Sequence, residues 1–303
     1  MAQTFTAVNL SQLPPPQVVE TLSFEAIVQA ILADFRSRQL AAGQPYTAIV
    51  EADPAYKMAE AAAYREMLVR ARINESAKAT MLAYAMDADL DNIGANTGVV
   101  RLVRQEADPT TIPPTPRIME SNEDFRARIQ LAPEALTTAG SEGSYQFHTR
   151  SADGKIRDVQ VISAVPGRVV IYISNKDGNG EATLDMIANA TAALSALTVR
   201  PLTDQVTVLS AQAVNYQVIA NLQIYDGPDP QVVIAAAKAA VKAYTEDQKK
   251  IGYDVTMAGL IGALKQPGVH DVIMVSPASK VVIGTGQVGY CTGITVNQVA
   301  LNV

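Results

Sequence analysis

From Phe24 onward, apolar residues recur at helical spacing. Phe24, Ile27, Val28, Ile31, Leu32 and Phe35 make one wide stripe. Ser23 stands in front of it as a cap, and Gly43, Pro45 and Thr47 close it, so the pattern predicts a helix over Ser23 to Leu40. A longer helical signal begins at Asp53. Its carboxylate can cap the first free N–H groups, and Pro54 follows where a missing donor does no harm. No Gly or Pro returns until Gly94. The predicted second helix, Pro54 to Met86, is about 33 residues and roughly 50 Å long, which is long for a globular protein. Its apolar side is mostly small: Ala55, Ala59, Ala62 and Ala63, then Val69 and Ile73. Arg65, Glu66, Arg70, Arg72 and Glu75 fill much of the remainder. Small residues let another backbone come close, so these six positions are the candidate interface for helices of this chain or of a partner.

Beyond this region the periods shorten. Asp87, Asp89 and Asp91 read as a helix-ending turn, with Leu90 and Ile93 as core anchors. The Pro- and Thr-rich run Asp108 to Pro116 cannot be helical and marks a boundary. Helices are predicted at Asn122 to Leu131 and Ser144 to Ala152. Strands follow at Lys155 to Ser163 and Arg168 to Ser174, turning at Pro166-Gly167. A helix from Glu181 to Leu197, a strand from Asp204 to Ser210 and another from Asn215 to Tyr225 come next. Helices at Gln231 to Lys249 and Thr256 to Lys265 precede strands at Val269 to Ser276, Lys280 to Ile283 and Tyr290 to Val299. IRDVQVIS (Ile156 to Ser163) and VHDVIMVS (Val269 to Ser276) read alike. Each follows two helices and precedes a Pro-containing turn, a basic residue and an apolar run. This predicts a duplicated ααββ unit spanning Asn122 to Ser174 and Gln231 to Ile283, with Asp158 and Asp271 equivalent. The expected fold is α+β: an N-terminal helical arm over residues 1–115, then two small mixed domains over 116–211 and 212–303. Met1 to Glu20, with Pro14, Pro15 and Pro16, reads as an extended arm, either a loose tail or a strap on a neighbouring subunit.

Composition narrows the function. A net charge of −6 over 303 residues does not suit a nucleic-acid binder. One cysteine, Cys291, allows no intramolecular disulfide and fits a reducing cytoplasm. The first residues do not form a secretory signal, and no run of eighteen apolar residues suggests a membrane segment.

Candidate chemistry is sparse. DADLDNIG lacks the central Gly and closing Glu of a calcium loop, and Asp177-Gly178-Asn179-Gly180 lacks further acidic ligands, so both read as turns. His148 and His270 occupy unlike places, and Cys291 reads as a small buried hydrophobe. GTGQVG (Gly284 to Gly289) opens no helix and reads as a turn rather than a phosphate cradle. The chain carries no metalloprotease, redox, nucleotide-loop or serine-hydrolase motif. No catalytic residue, metal ligand or cofactor site is expected.

DPAYKMAEAAAYRE and RARINESAKATMLAYAMDADLDNIG resemble the N-terminal signature of baseplate J-like proteins, found in contractile phage tails and phage-tail-like bacteriocins (tailocins). FRARIQLAPEALTTAGSEGSYQFH (Phe125 to His148), VRPLTDQVTV (Val199 to Val208) and YCTGITV (Tyr290 to Val296) match the same family in the same order. The resemblance implies a structural wedge protein in a six-fold baseplate, assembled in the bacterial cytoplasm. Its implied partners are a second wedge protein, other copies of itself, a sheath-initiator-like protein and the central spike or hub. N-terminal helices would share a bundle, and C-terminal domains would pair into a ring around the spike. The alternative from another class is a tail-associated cell-wall hydrolase.

Overall fold

The capping and alternation signals above translate into a computed structural model that describes residues 8–10, 13–44, 50–137, 140–196, 198–227 and 229–299. Within these residues the chain divides into two units, 8–100 and 101–299.

The first unit is helical. Helix α1, Phe24–Ala41, is capped by Ser23, whose hydroxyl accepts the Ala26 N–H. Helix α2, Pro54–Ala79, is capped by Asp53, which accepts from Ala55. Ile27, Val28 and Leu32 of the α1 stripe close over Ala59 and Ala63 of α2, flanked by Tyr56 and Met67. Helix α2 stops seven residues short of the predicted Met86. Ser76 donates its hydroxyl to the Arg72 carbonyl and Thr80 donates to Ala77, drawing off helix acceptors as the last turn ends. A turn through Met81–Ala85 follows. The aspartates then belong to the start of helix α3, Asp87–Asn96, rather than to a helix end, with Asp87 and Asp89 in its first turn. Acidic side chains in a first turn are favoured by the helix dipole. Leu90 is fully buried, as an anchor should be.

Of the proposed arm, residues 1–7, 11 and 12 lie outside the described residues, as do Pro45 and Thr47 of the first helix stop. The remainder of the arm straps the chain's own helices. Leu13 O accepts from Tyr84 Oη at 2.7 Å, and the Glu20 backbone exchanges two hydrogen bonds with the Asn74 side chain. Glu20 also pairs with Arg70 at 2.9 Å.

The second unit opens with a two-stranded ladder, β1 (Val103–Gln105) and β2 (Ile118–Met119). Helix α4 (Asn122–Leu131), a 3₁₀ turn (Ala132–Leu136) and helix α5 (Glu142–Ala152) follow. Strands β3 (Ile156–Val165) and β4 (Arg168–Asn175), helix α6 (Leu184–Leu194) and strand β5 (Gln205–Ser210) complete the first sheet, ordered β3-β4-β5. Strand β6 (Gln212–Ile224), helices α7 (Pro230–Asp247) and α8 (Met257–Leu264), and strands β7 (Val269–Ser276) and β8 (Gln287–Val299) form the second, ordered β7-β6-β8. Ile171 and Ile173 of β4 pack on Tyr145 of α5 and Met186, Ala190 and Leu194 of α6. Val218, Ala220 and Leu222 of β6 pack on Val233, Ala237 and Val241 of α7 and on Leu260 and Leu264 of α8. Leu197, the last residue of a predicted helix, and Pro228, between a predicted strand and helix, lie outside the described residues.

The expected ααββ duplication does not hold. In both sheets a central strand has one antiparallel and one parallel neighbour, and Asp158 and Asp271 both lie on the antiparallel one. The threading differs. The partner of β3 is the next strand, β4, whereas the partner of β7 is β6, which precedes both helices. Lys280 to Ile283 is therefore not a strand beside β7. Val281 bridges to Val255 instead, exchanging two backbone hydrogen bonds of 3.0 Å. Asp254 pins this segment, accepting from the Ile283 N–H at 2.8 Å and from Lys280 Nζ at 2.9 Å. The Ile283 N–H, together with Lys280, holds the Asp254 carboxyl below its ordinary pKa. A depressed carboxyl stabilises the fold above its unfolded pKa, and that contribution is lost as pH falls through the folded value. Asp254→Asn should therefore speed Ile283 amide exchange at neutral pH, with the gap from wild type shrinking at acid pH. An equal gap at both pH values would refute the assignment.

Candidate protein–protein interface

The six candidate positions on α2 do not share one environment. Ala59 and Ala63 are buried beneath α1, so for these two the expected partner helix is the chain's own. The reason is geometric: the branched side chains of α1 need methyl-sized neighbours for two helices to approach. Ala55 is half-buried and Ala62 is exposed. Val69 and Ile73 are 60% and 54% exposed. Met58, on the same helix but outside these six positions, is 71% exposed. At 100° per residue, Met58, Ala62, Val69 and Ile73 fall within one narrow arc beside the buried face, so they form an outward apolar stripe along the helix. Periodicity gave the stripe and the buried face together; only the position of α1 separates them.

The contacts that hold the two sheets of the 101–299 unit together escaped the sequence. The outward polar positions of β3 join the two sheets of the 101–299 unit. Asp158 accepts the Ile251 N–H at 2.9 Å on one oxygen and Arg150 at 2.8 Å on the other. Gln160 Oε1 accepts the Gly286 N–H at 2.8 Å. Arg157 pairs with the Glu246 carboxylate at 3.3 Å and also bonds the Glu246 carbonyl. From the other side Lys249, almost wholly buried, donates to Gly178 O at 2.8 Å and lies over the Tyr290 ring. Burial lowers the Lys249 pKa. Ala211, Ile251 and Val288 with Tyr172 make the apolar part of this seam. Both Gly-rich stretches serve the seam: Asp177 to Gly180 is a turn, as expected, whereas of Gly284 to Gly289 only the first half turns, since β8 begins at Gln287. At Gly286, with φ +68°, an added Cβ would meet the Tyr172 ring at 2.6 Å. An alternating strand such as β3 signals which residues face outward, but nothing in the sequence says what they meet.

Cys291 is half-buried, its thiol directed to Gly293 O at 3.4 Å, and burial raises its pKa. A raised pKa keeps the thiol protonated and unreactive. Burial lowers the His148 pKa. His270 packs edge-on against Tyr225. Among the described residues no group of three His, Cys, Asp or Glu converges to hold a metal, and no helix is long and apolar enough to cross a membrane.

Comparison with known proteins defines the class. Three domain profiles match in chain order. The baseplate J-like N-terminal domain covers residues 51–108, that is α2, α3 and β1. The baseplate J-like central domain covers 137–210, from α5 to β5, and the C-terminal domain covers 216–297, within β6 to β8. The chain is also 42% identical over 288 residues to baseplate protein J of Escherichia phage P2, spanning 94% of this chain and 95% of that protein. The chain belongs to the baseplate J-like family.

Proposed function

We propose that this chain is a structural wedge subunit of a contractile-tail baseplate and works by holding neighbours, not by catalysis. The observation that carries the reading is the stripe Met58, Ala62, Val69 and Ile73, which α1 leaves exposed on a helix otherwise committed to helix packing. Full burial of each large side chain in it would contribute about 1.5–3 kcal/mol. The fitting occupants are helices of a second wedge protein and of other copies. The C-terminal sheet, residues 212–299, would join copies into a six-fold ring around the spike or hub, near a sheath-initiator-like protein. The working division is the arm to residue 115, the central domain from 116 to 211 and the C-terminal domain beyond. The site of action is the baseplate of a virion or tailocin, built in the bacterial cytoplasm.

Ala62→Glu combined with Val69→Glu tests this. Both positions are exposed in the isolated chain, so its thermal unfolding should shift little. In the assembled seam two carboxylates would be buried unpaired. The expected result is soluble, folded protein that is missing from purified tails in a complementation assay. Normal incorporation would remove the stripe from the interface.

A further inference from the structure

Strand β8 is unlike the other sheet edges of this molecule. It is the outermost strand of β7-β6-β8 and pairs in parallel with β6 along nearly its whole length. Its first part is closed on the outer side, where Ile251 bridges Val288 and the Gly252 N–H donates to Gln287 O. From Cys291 to Val299, no second strand pairs with it among the described residues. That leaves about 30 Å of unpaired strand edge. Helix α7 packs on the face that carries Val296, and Asn297 bonds Asn221 within the sheet, so neither covers the edge.

Exposed edges are normally guarded by charge, proline, bulges or shortness, because their free N–H and C=O groups pair with any available strand. The other edges carry such guards. Strand β3 has Arg157 and Asp158 engaged in the seam. Strand β7 has His270 and Asp271 and ends at Pro277. Strand β5 is short, at 6 residues, and begins beside Asp204. Strand β8 has 13 residues; its one bulge, at Thr292, lies at the start of the open stretch and leaves Gly293 to Val299 in regular register with β6. From Val281 to Val303 the sequence contains no Asp, Glu, Lys, Arg, His or Pro.

We propose that β8 is a self-pairing edge: two copies of this chain join β8 to β8, antiparallel about a two-fold axis, across Cys291–Val299. This rests on the reading above that copies of the chain associate, and it names the strand that does so. The absence of charge selects the occupant. In a two-fold pair every side chain faces the residue equally far beyond the axis, so a charge near the axis meets its own copy, and like charges directly opposite are destabilising. A strand donated by a different protein has no such restriction and could use opposite charges for specificity. In β8 the residues about the middle of the open edge, Ile294 to Val296, carry no charge to meet its own copy, and neither do their neighbours.

Sedimentation velocity over a concentration series, with amide exchange across residues 291–299, tests it on the full chain. Wild type should form a dimer, and outward β8 amides should become protected as it forms. Exposed Thr295 is the position to charge. Thr295→Lys and Thr295→Glu should each keep the fold by circular dichroism and weaken the dimer by about tenfold or more. An equimolar mixture of the two should recover it, because the mixed pair sets opposite charges across the axis. Ile273→Lys, on the opposite edge strand, should leave the dimer intact. If wild type dimerises and Thr295→Lys dimerises equally well, β8 is not the contact although copies do associate. If wild type stays monomeric throughout, self-pairing fails together with the reading beneath it, while loss of Ala62/Val69 variants from tails would still stand.

Discussion

Replacing Arg128 by Ala should lower the unfolding free energy of the chain by about 3–5 kcal/mol, the range for removing one partner of a buried ion pair. Arg128 and Glu120 have side chains only 4% and 3% exposed. The guanidinium grips the carboxylate twice, Nε to Oε1 at 2.9 Å and Nη2 to Oε2 at 2.8 Å, and its remaining arm donates to Ser151 at 3.0 Å. Glu120 also accepts the Leu102 N–H on Oε2, and its carbonyl accepts from Arg101. One pair thus ties the strand of entry, α4 and α5 together. Without Arg128 the carboxylate stays in the interior with its fork unfilled. Glu120→Gln removes the charge and keeps the shape, so it should lose less. The double replacement Glu120→Leu with Arg128→Met should recover part of the loss, since no buried charge is then left alone. Chemical denaturation of the four proteins reads these differences. A loss under about 1 kcal/mol for Arg128→Ala would mean that water reaches the pair.

Ala63→Glu should destroy the helical hairpin, in contrast to the neighbouring Ala62→Glu. Ala63 is fully buried among Ile27, Val28 and Leu32, with no room for a longer side chain and no cation facing it in that apolar cluster. Overpacking alone costs about 1–3 kcal/mol, and burying an unpaired carboxylate adds several more or forces its protonation. Residues 8–100 hold few other buried apolar contacts, so α1 should detach from α2. The expected readout is a loss of helical circular dichroism and rapid proteolysis within residues 20–80, with the 101–299 unit still protected. Ala62→Glu should show neither change. If both variants unfold, the boundary between buried and outward faces on α2 is misplaced; if neither does, α1 does not pack there.

Local chemistry was readable wherever it was self-contained. Ser23 and Asp53 announce α1 and α2 through caps that need only their own next turn. Strand β7 was read to the residue because its alternation is uninterrupted. The α+β class and the N-terminal helical region followed from these periods. What failed depended on distant partners. The end of α2 turns on Ser76 and Thr80, two hydroxyls that are ordinary surface residues until they bend back on the helix. The assumed duplication rested on two edge strands of similar sequence, and those strands do occupy like edges. Their central partners, however, come from opposite sides in the chain, and no local pattern encodes that. The seam formed by Asp158, Gln160 and Arg157 was invisible for the same reason, since its acceptors and donors lie some ninety residues away or more.

Ala211 is the single residue between β5 and β6, and therefore between the two sheets. Its N–H bonds Ile173 O in the first sheet, and the next N–H, of Gln212, bonds the O of Gly286, the residue that leads into β8 of the second. A tension applied across this junction has no slack loop to straighten first. It passes at once into the ladders on either side, β4 with β5 and β6 with β8, both of them parallel. Strands that run parallel to the pull are loaded in shear, so many rungs must yield together instead of one at a time. In that direction the junction should behave as a stiff tendon, with a rupture force set by the unfolding barrier of a whole sheet rather than by the flexibility of a linker.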